Sequence, residues 1–133
     1  QQYGNDVRVV WKNAPLPFHN NAGPAAEAAQ EAFAQGGNAK FWQMHDLLFQ
    51  NQQALERANL EQYATQLHLN PAGVRSALDS NTHQAAIQAD MDLARQLGAS
   101  GTPSFFINGN KQQIQNTVDA FSKALDEALK NAK

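Results

Sequence analysis

The chain has 133 residues, no cysteine and a formal net charge of −2 at pH 7. Its length is enough for one hydrophobic core. Because it lacks cysteine, it has no disulfide, no cysteine-ligated metal and no thiol chemistry of its own. Its ten Lys and Arg residues are scattered, which argues against a nucleic-acid partner or an anionic membrane surface. No apolar run approaches the roughly 20 residues of a membrane-spanning helix. We therefore expect no membrane insertion, and no targeting segment is recognisable.

The N-terminal part of the chain predicts the end of a helix, then a strand, then a loop. Gly4 suits the left-handed residue that follows the last turn of a helix. Residues 7–11, Val-Arg-Val-Val-Trp, form a β-branched run that is typical of a mostly buried strand. Pro15 and Pro17 block regular structure, so residues 12–21 are predicted to be a loop.

An all-helical stretch is predicted next. Gly36-Gly37 ends its first helix, and Asn59 with Gln62 three residues later predicts a capping box at the start of the third. Asn70-Pro71 predicts a cap followed by a first-turn proline. The predicted helices are residues 23–35, 39–49, 60–67, 71–80 and 82–97.

The C-terminal part returns to strand and ends in a helix. Residues 104–108 are predicted to be a strand, Asn108-Gly109 is a strong hairpin signal, and residues 111–115 are the returning strand. Asn116 is predicted to cap a final helix that spans residues 117–131.

Three stretches of the sequence resemble the DsbA-like thiol-disulfide oxidoreductases, a family with a thioredoxin fold and a helical insertion. They are residues 9–19, 40–49 and 101–109. In the last of them Thr102-Pro103 opens an apolar strand, as in the cis-proline loop of that family, and X-Pro is the common setting for a cis peptide bond.

The resemblance implies an α/β fold class: an incomplete thioredoxin-like fold with an inserted helical domain. Residues 1–22 and 99–133 would form the thioredoxin-like portion, and residues 23–98 would form the insertion. The first strand and the Cys-x-x-Cys helix of the family are absent, so we expect a truncated form of a longer protein.

The function that the resemblance implies is part of an oxidoreductase acting on the cysteines of polypeptide substrates. Gly101, Thr102 and Pro103 would form the substrate-binding loop, and His19 would lie in a loop bordering the active face. No catalytic residue, metal or cofactor is assigned, and the chain alone is not expected to catalyse thiol–disulfide exchange. The family implies a periplasmic or other extracytoplasmic location.

Two alternatives stay open. The chain could be a redox-inactive module that binds a peptide or a partner strand through an open sheet edge, or a helical scaffold with an incidental hairpin.

In a family-like sheet the missing strand lies between residues 7–11 and 104–108. Both of these segments are expected to be strands, with the gap filled by the missing N-terminal segment or by strand exchange with a second copy, because unpaired edges leave backbone groups unsatisfied.

The remaining ionisable residues are expected to be structural. Adjacent helix positions point in different directions, so His45 and Asp46 are not expected to interact as a base and its orienting carboxylate. His83 lacks a metal-ligand spacing. Asp90 and Asp92 are not expected to form a carboxylate pair.

Overall fold

A computed structural model describes residues 2–132, which divide into two compact units. The first, here called the helical unit, runs from Lys12 to Asp92. The second, the terminal unit, combines the residues before Lys12 with those after Asp92. The predicted insertion, residues 23–98, overlaps the helical unit, and its identity as an inserted domain stays a prediction.

Three helices and the first part of a fourth make up the helical unit. Their bounds are α1 Ala22–Gln50, α2 Arg57–Gln66, α3 Pro71–Ser80 and α4 Gln84–Gln96. The backbone leaves helical geometry inside α1 at Gly36 and Gly37, where φ is −150° and +65°. The prediction that these glycines separate two helical segments is therefore confirmed, although the segments are continuous enough to form one bent element.

One of the two predicted helix caps in this unit is confirmed. The Asn70 side chain accepts a hydrogen bond from the Ala72 backbone N–H at 3.0 Å, at the start of α3. The predicted capping box at Asn59 is wrong, because α2 already begins at Arg57. Glu56 occupies the cap position, and the Asn59 N–H donates to the Glu56 carbonyl at 2.8 Å, so Asn59 lies within the first turn.

The hydrophobic core lies in the helical unit. Met44 of α1, Leu60 of α2 and Val74 of α3 are fully buried and come from three different helices. They pack in one cluster with Phe41 and Tyr63, whose hydroxyl donates to the Ala54 carbonyl at 2.8 Å. Every buried side chain among the described residues belongs to this unit.

The terminal unit contains a short hairpin and one helix, α5 Val118–Asn131. Strands β1 Phe105–Ile107 and β2 Asn110–Gln112 pair antiparallel, with Phe106 opposite Lys111. Asn108 and Gly109 both have positive φ, +48° and +81°, as a tight two-residue hairpin turn requires, so the predicted hairpin is confirmed.

The predicted cap of the last helix is one residue off. Thr117, not Asn116, occupies the cap position of α5, and its side chain accepts a hydrogen bond from the Ala120 N–H at 3.3 Å. A Thr hydroxyl satisfies the same unpaired helical N–H groups that an Asn side chain would.

The prediction of a strand at residues 7–11 is wrong. These residues belong to no helix or strand, and the sheet of the described chain contains only β1 and β2. Val9 and Val10 are 71% and 62% exposed. A strand exists only where a neighbouring strand takes up its backbone groups, and no described strand lies beside this segment.

Candidate functional site

The predicted substrate-binding residues lie in the loop between α4 and β1. Gly98, with φ +70°, ends the helix, and its carbonyl accepts a hydrogen bond from the Lys111 ammonium group. The Ser104 hydroxyl donates to the Gly101 carbonyl at 2.5 Å, which folds the loop into a turn. The Thr102–Pro103 peptide bond is cis. Residues 101–103 are all exposed, so a ligand can reach this loop directly.

Strand β1 follows the loop and carries one unpaired edge within the described chain. Its only ladder neighbour among residues 2–132 is β2. All three β1 residues are half-buried, and the Phe105 ring meets the Phe121 ring of α5 edge-on, with 4.6 Å between centroids. The helix therefore supports one face of the hairpin and leaves an edge of β1 available for another strand.

Tyr3 fastens the N-terminal residues to α5. Its hydroxyl lies 3.1 Å from the Ser122 carbonyl oxygen and 3.0 Å from Oδ1 of Asp126, so the two acceptors share its single O–H donor. Because α5 also contacts β1, the hairpin and the residues before the segment 7–11 pack against the same helix.

His19, the other predicted site residue, lies in the helical unit. Its N–H donates to the Leu16 carbonyl at 3.1 Å, its carbonyl accepts from the Ala22 N–H at 3.0 Å, and its ring lies 4.7 Å from the Phe18 ring. These contacts place His19 in the turn that leads into α1. Residues 101–103 belong to the terminal unit, so the predicted place of His19 on an active face stays a prediction.

A histidine–carboxylate cluster, which the sequence did not reveal, joins α1 to the start of α4. The His83 ring Nε2 lies 2.7 Å from the Glu31 carboxylate, and the two side chains are 18% and 14% exposed. The His83 backbone N–H donates to Glu27, which is 4% exposed. Glu27 and Glu31 are one helical turn apart, but 52 residues separate Glu31 from His83, so no local motif signals the contact.

This cluster is best explained as a structural one. A buried carboxylate beside the first N–H groups of a helix is stabilised by the helix dipole, and Glu27 has that position at α4. Glu31 also accepts a hydrogen bond from Gln35 at 2.9 Å. No group of three or more His, Asp or Glu residues that could hold a metal ion occurs among residues 2–132.

That His45 and Asp46 do not act as a base and its orienting carboxylate stays a prediction, but the geometric reason given for it is wrong. Nδ1 of His45 lies 3.0 Å from Oδ1 of Asp46, although the two residues are adjacent on α1. The His45 ring also lies 5.0 Å from the Trp42 ring and 4.7 Å from the Phe49 ring. The aromatic contacts fix the ring on the helix surface and indicate a packing role.

Asp90 and Asp92 contact different partners, as expected for residues two positions apart on a helix. Asp90 accepts from Lys12 at 2.9 Å and twice from Asn13, whereas Asp92 accepts from Gln88 at 2.9 Å. Neither arrangement provides the paired carboxylates of general acid–base chemistry.

One carboxylate has a perturbed protonation equilibrium. Hydrogen bonds from Arg75, the shortest at 2.7 Å, hold the pKa of Glu61 below its usual value, and Arg57 contributes a weaker effect. The same contact raises the pKa of Arg75. These residues join α2 to α3 on the surface of the helical unit.

The chain is similar to parts of much longer proteins. It is 39% identical to the Na(+)/H(+) antiporter NhaA 3 of Salinispora tropica over 128 residues, 96% of this chain and 19% of that protein. It is 38% identical to the Na(+)/H(+) antiporter NhaA 1 of Salinispora arenicola over 93% of this chain and 19% of the relative, and 37% identical to the antiporter of Herminiimonas arsenicoxydans over 89% and 18%. The chain thus spans about a fifth of the relatives' length.

No helix within residues 2–132 is long and apolar enough to cross a membrane. No solved structure matches the chain. Residues 2–127 of the chain match the protein family that is described as Thioredoxin. Helices with a small two-stranded sheet are consistent with an incomplete form of the thioredoxin-like fold. The chain therefore belongs to the thioredoxin family.

Proposed function

We propose that this chain is the substrate-binding part of a DsbA-like thiol-disulfide oxidoreductase that acts on the cysteines of other polypeptides. The observation that supports the proposal is the exposed loop of residues 101–103, which lies directly before β1 in a member of the thioredoxin family. The exposed backbone of such a loop can form hydrogen bonds with an extended polypeptide. The loop would hold the cysteine region of the substrate.

The reacting sulfur atoms must come from outside these residues. In thiol–disulfide exchange a thiolate attacks one sulfur of a disulfide, a mixed disulfide forms and the other sulfur leaves as a thiolate. The chain contains no cysteine and cannot supply any of these sulfur atoms. A Cys-x-x-Cys pair at a helix N-terminus would supply the thiolate, because that position lowers a cysteine pKa.

The proposed substrate class also favours a location. Protein disulfides form and persist outside the cytoplasm, so an extracytoplasmic setting fits this activity. The names of the relatives describe sodium–proton exchange by polypeptides of which this chain spans about a fifth. The segment that this chain shares with them would have a thioredoxin-like role within those longer chains.

The test compares this chain with a version extended by the residues that its own gene encodes before Gln1. The chain alone is expected to leave the rate of insulin reduction by dithiothreitol at the buffer value. The extended version is expected to carry a Cys-x-x-Cys pair and to accelerate the reaction. A cysteine-free extension, or exchange activity of the present chain, would overturn the proposal.

A bulky residue in the loop tests where the substrate binds. A Cβ added at Gly101 meets no heavy atom within 4 Å, so we expect Gly101→Leu to keep the fold and to place bulk where the substrate approaches. We expect it to slow the extended enzyme by about tenfold or more, because small displacements of a bound substrate are costly. Gly23→Leu, at the other open glycine with ordinary φ, is the control and should keep full activity.

A second candidate function is redox-inactive peptide binding. The absence of cysteine favours it, and the unpaired edge of β1 is the surface it would use. A titration of the isotope-labelled chain with an extended peptide would shift the amide signals of residues 105–107 whether or not the peptide contains cysteine. Binding that requires peptide cysteine would speak against this candidate.

A further inference from the structure

The segment from Gly98 to Lys111 begins and ends at one contact. Lys111 lies on β2, and its ammonium group donates a hydrogen bond to the Gly98 carbonyl just beyond the end of α4, 13 residues earlier in the chain. This contact closes a loop that contains residues 101–103, β1 and the hairpin turn. All of these residues belong to the terminal unit, so the closure depends on that unit alone.

The end of α4 has a defined backbone geometry. The Ala99 N–H donates to the Ala94 carbonyl at 2.8 Å. The Gly98 N–H donates to the Arg95 carbonyl at 3.1 Å. Together with the positive φ of Gly98, these hydrogen bonds form a Schellman motif, a common way for a helix to end at glycine. The Gly98 carbonyl is therefore held near the negative end of the helix dipole, where a cation is favourable.

Lys111 reaches that carbonyl from the face of the hairpin that is turned away from α5. Phe105 packs against Phe121 of α5. Successive side chains of a strand alternate between its faces, so Phe106 points away from α5. Lys111 is directly opposite Phe106 in the ladder, and directly opposite residues share a face. The hairpin thus contacts α5 on one face and the end of α4 through the other.

A second hydrogen bond shapes the loop from within. The Ser104 hydroxyl donates to the Gly101 carbonyl at 2.5 Å and closes the turn immediately before β1. Lys111 holds the start of the loop, and Ser104 holds its turn. Residues 101–103 stay exposed between these two contacts, so their backbone is both fixed and accessible.

We propose that Lys111 is a positioning residue for the substrate-binding loop. Its hydrogen bond to Gly98 holds residues 101–103 in the conformation that receives an extended polypeptide. This inference rests on the proposed function, in which that loop binds the substrate. A site that populates its binding conformation only part of the time has an apparent affinity reduced by that fraction. Lys111 would raise this fraction and needs no contact with the substrate to do so.

Two substitutions of Lys111 separate the hydrogen bond from the rest of the side chain. Lys111→Met keeps an unbranched apolar chain and removes every N–H donor. Lys111→Arg keeps a long side chain with a positive charge and N–H donors, so it should keep the contact with Gly98. Lys111 is exposed, and both variants should fold.

NMR measurements on the present chain test the positioning of the loop without any redox activity. In Lys111→Met the heteronuclear NOE of the amides of residues 101, 102 and 104 should fall, because the loop gains motion on the fast timescale that this NOE reports. The amides of α5 should keep their wild-type values, which shows that the unit stays folded. Lys111→Arg should match the wild type. Lys123→Met, which removes an exposed ammonium group from α5, is the control and should also match it.

Kinetics of the chain extended before Gln1 test the consequence for the substrate. Lys111→Met should raise the KM for a cysteine-containing peptide by about three- to tenfold, because the loop is in its binding conformation less often. The kcat should stay within about twofold of the wild type, since the reacting sulfur atoms lie elsewhere. Lys111→Arg and Lys123→Met should both keep the wild-type KM.

The two experiments distinguish failure of this inference from failure of the proposed function. An inactive extended chain would overturn the proposed function, whereas a loss of loop order confined to Lys111→Met would still support the positioning of the loop by Lys111. An unchanged NOE of residues 101, 102 and 104 in Lys111→Met would overturn that positioning. A fall in kcat at unchanged KM, or an equal rise of KM in Lys123→Met, would do the same.

Discussion

Asp90 accepts two hydrogen bonds from Asn13, one from its backbone N–H and one from its side-chain Nδ2, both at 3.0 Å. Asn13 is 3% exposed and is one of two buried polar residues in the described chain, the other being Glu27. The Asp90 carboxylate therefore attaches the loop after residue 11 to α4, across 77 residues of sequence.

Removing that carboxylate is expected to destabilise the helical unit. Asp90→Ala removes the acceptor of two hydrogen bonds from the buried Asn13. We expect it to lower the free energy of unfolding by about 1–3 kcal/mol. Lys12→Ala is the matched control, because it removes only the exposed ion pair to the same carboxylate and should cost about 0–1 kcal/mol. Urea unfolding of the three proteins measures the difference. Equal losses would show that the charge pair, and not the buried asparagine, makes Asp90 important.

The contact between Glu61 and Arg75 should make part of the stability pH-dependent. The pKa of Glu61 is below its ordinary value of 4.5 in the folded chain. The stabilisation is therefore fully present at pH values above the ordinary pKa and is lost as the pH falls through the lower folded value. Glu61→Gln should destabilise the chain at pH 7, and its difference from the wild type should shrink at pH 3.

Arg75→Gln should reproduce this pH dependence, because it removes the partner that lowers the pKa most. The loss of unfolding free energy in the double variant should be smaller than the sum of the losses in the two single variants. Unfolding in urea at pH 7 and pH 3 provides both comparisons. A cost of Glu61→Gln that is the same at both pH values would contradict the assignment.

The features that the sequence predicted correctly depend on neighbouring residues. Asn70 caps a backbone N–H two positions away, and Asn108-Gly109 forms the hairpin turn by its own backbone preferences. The Asn59 prediction failed because the same kind of signal also occurs inside a first helical turn, and only the path of the preceding chain decides between the two. Local chemistry therefore predicts an element more reliably than its first residue.

Long-range contacts could not be predicted from the sequence. The pairing of His83 with Glu31 depends on how α1 packs against the start of α4, and no motif spans the 52 residues between them.

Residues 7–11 are predicted to be a strand and are not one. Their strong β preference predicts a strand, but a strand also needs a neighbour, and the sequence of the segment says nothing about whether one is present.

The bend in α1 depends on a backbone geometry that only glycine adopts easily. Gly37 has φ +65° and ψ −158°, a region that is costly for any residue with a Cβ. We expect Gly37→Ala to lower the free energy of unfolding by about 1–3 kcal/mol. Gly23→Ala lies in the same helix, with ordinary φ and open space around the added carbon, and should stabilise by about 0.4–1 kcal/mol. Opposite signs in thermal unfolding are the expected result, and a neutral Gly37→Ala would show that the helix can straighten.

The two units are expected to differ in stability. Every buried residue of the described chain lies in the helical unit, where Met44, Leu60 and Val74 are fully covered. Helix α5 has no buried residue, although Phe121 packs against β1. Because burial of apolar surface supplies most of the stability, the terminal unit should open far more often than the helical unit.

Amide hydrogen exchange measures this directly. Amides in the second half of α1 should exchange at least about tenfold more slowly than those in α5. Met44→Ala, which removes a fully buried side chain, should cost about 2–5 kcal/mol and abolish the difference by opening the helical unit. Val118→Ala, at a side chain 77% exposed, is the control and should leave both rates unchanged. Equal protection of α1 and α5 in the wild type would mean that the terminal unit is stabilised by contacts other than burial of its own side chains.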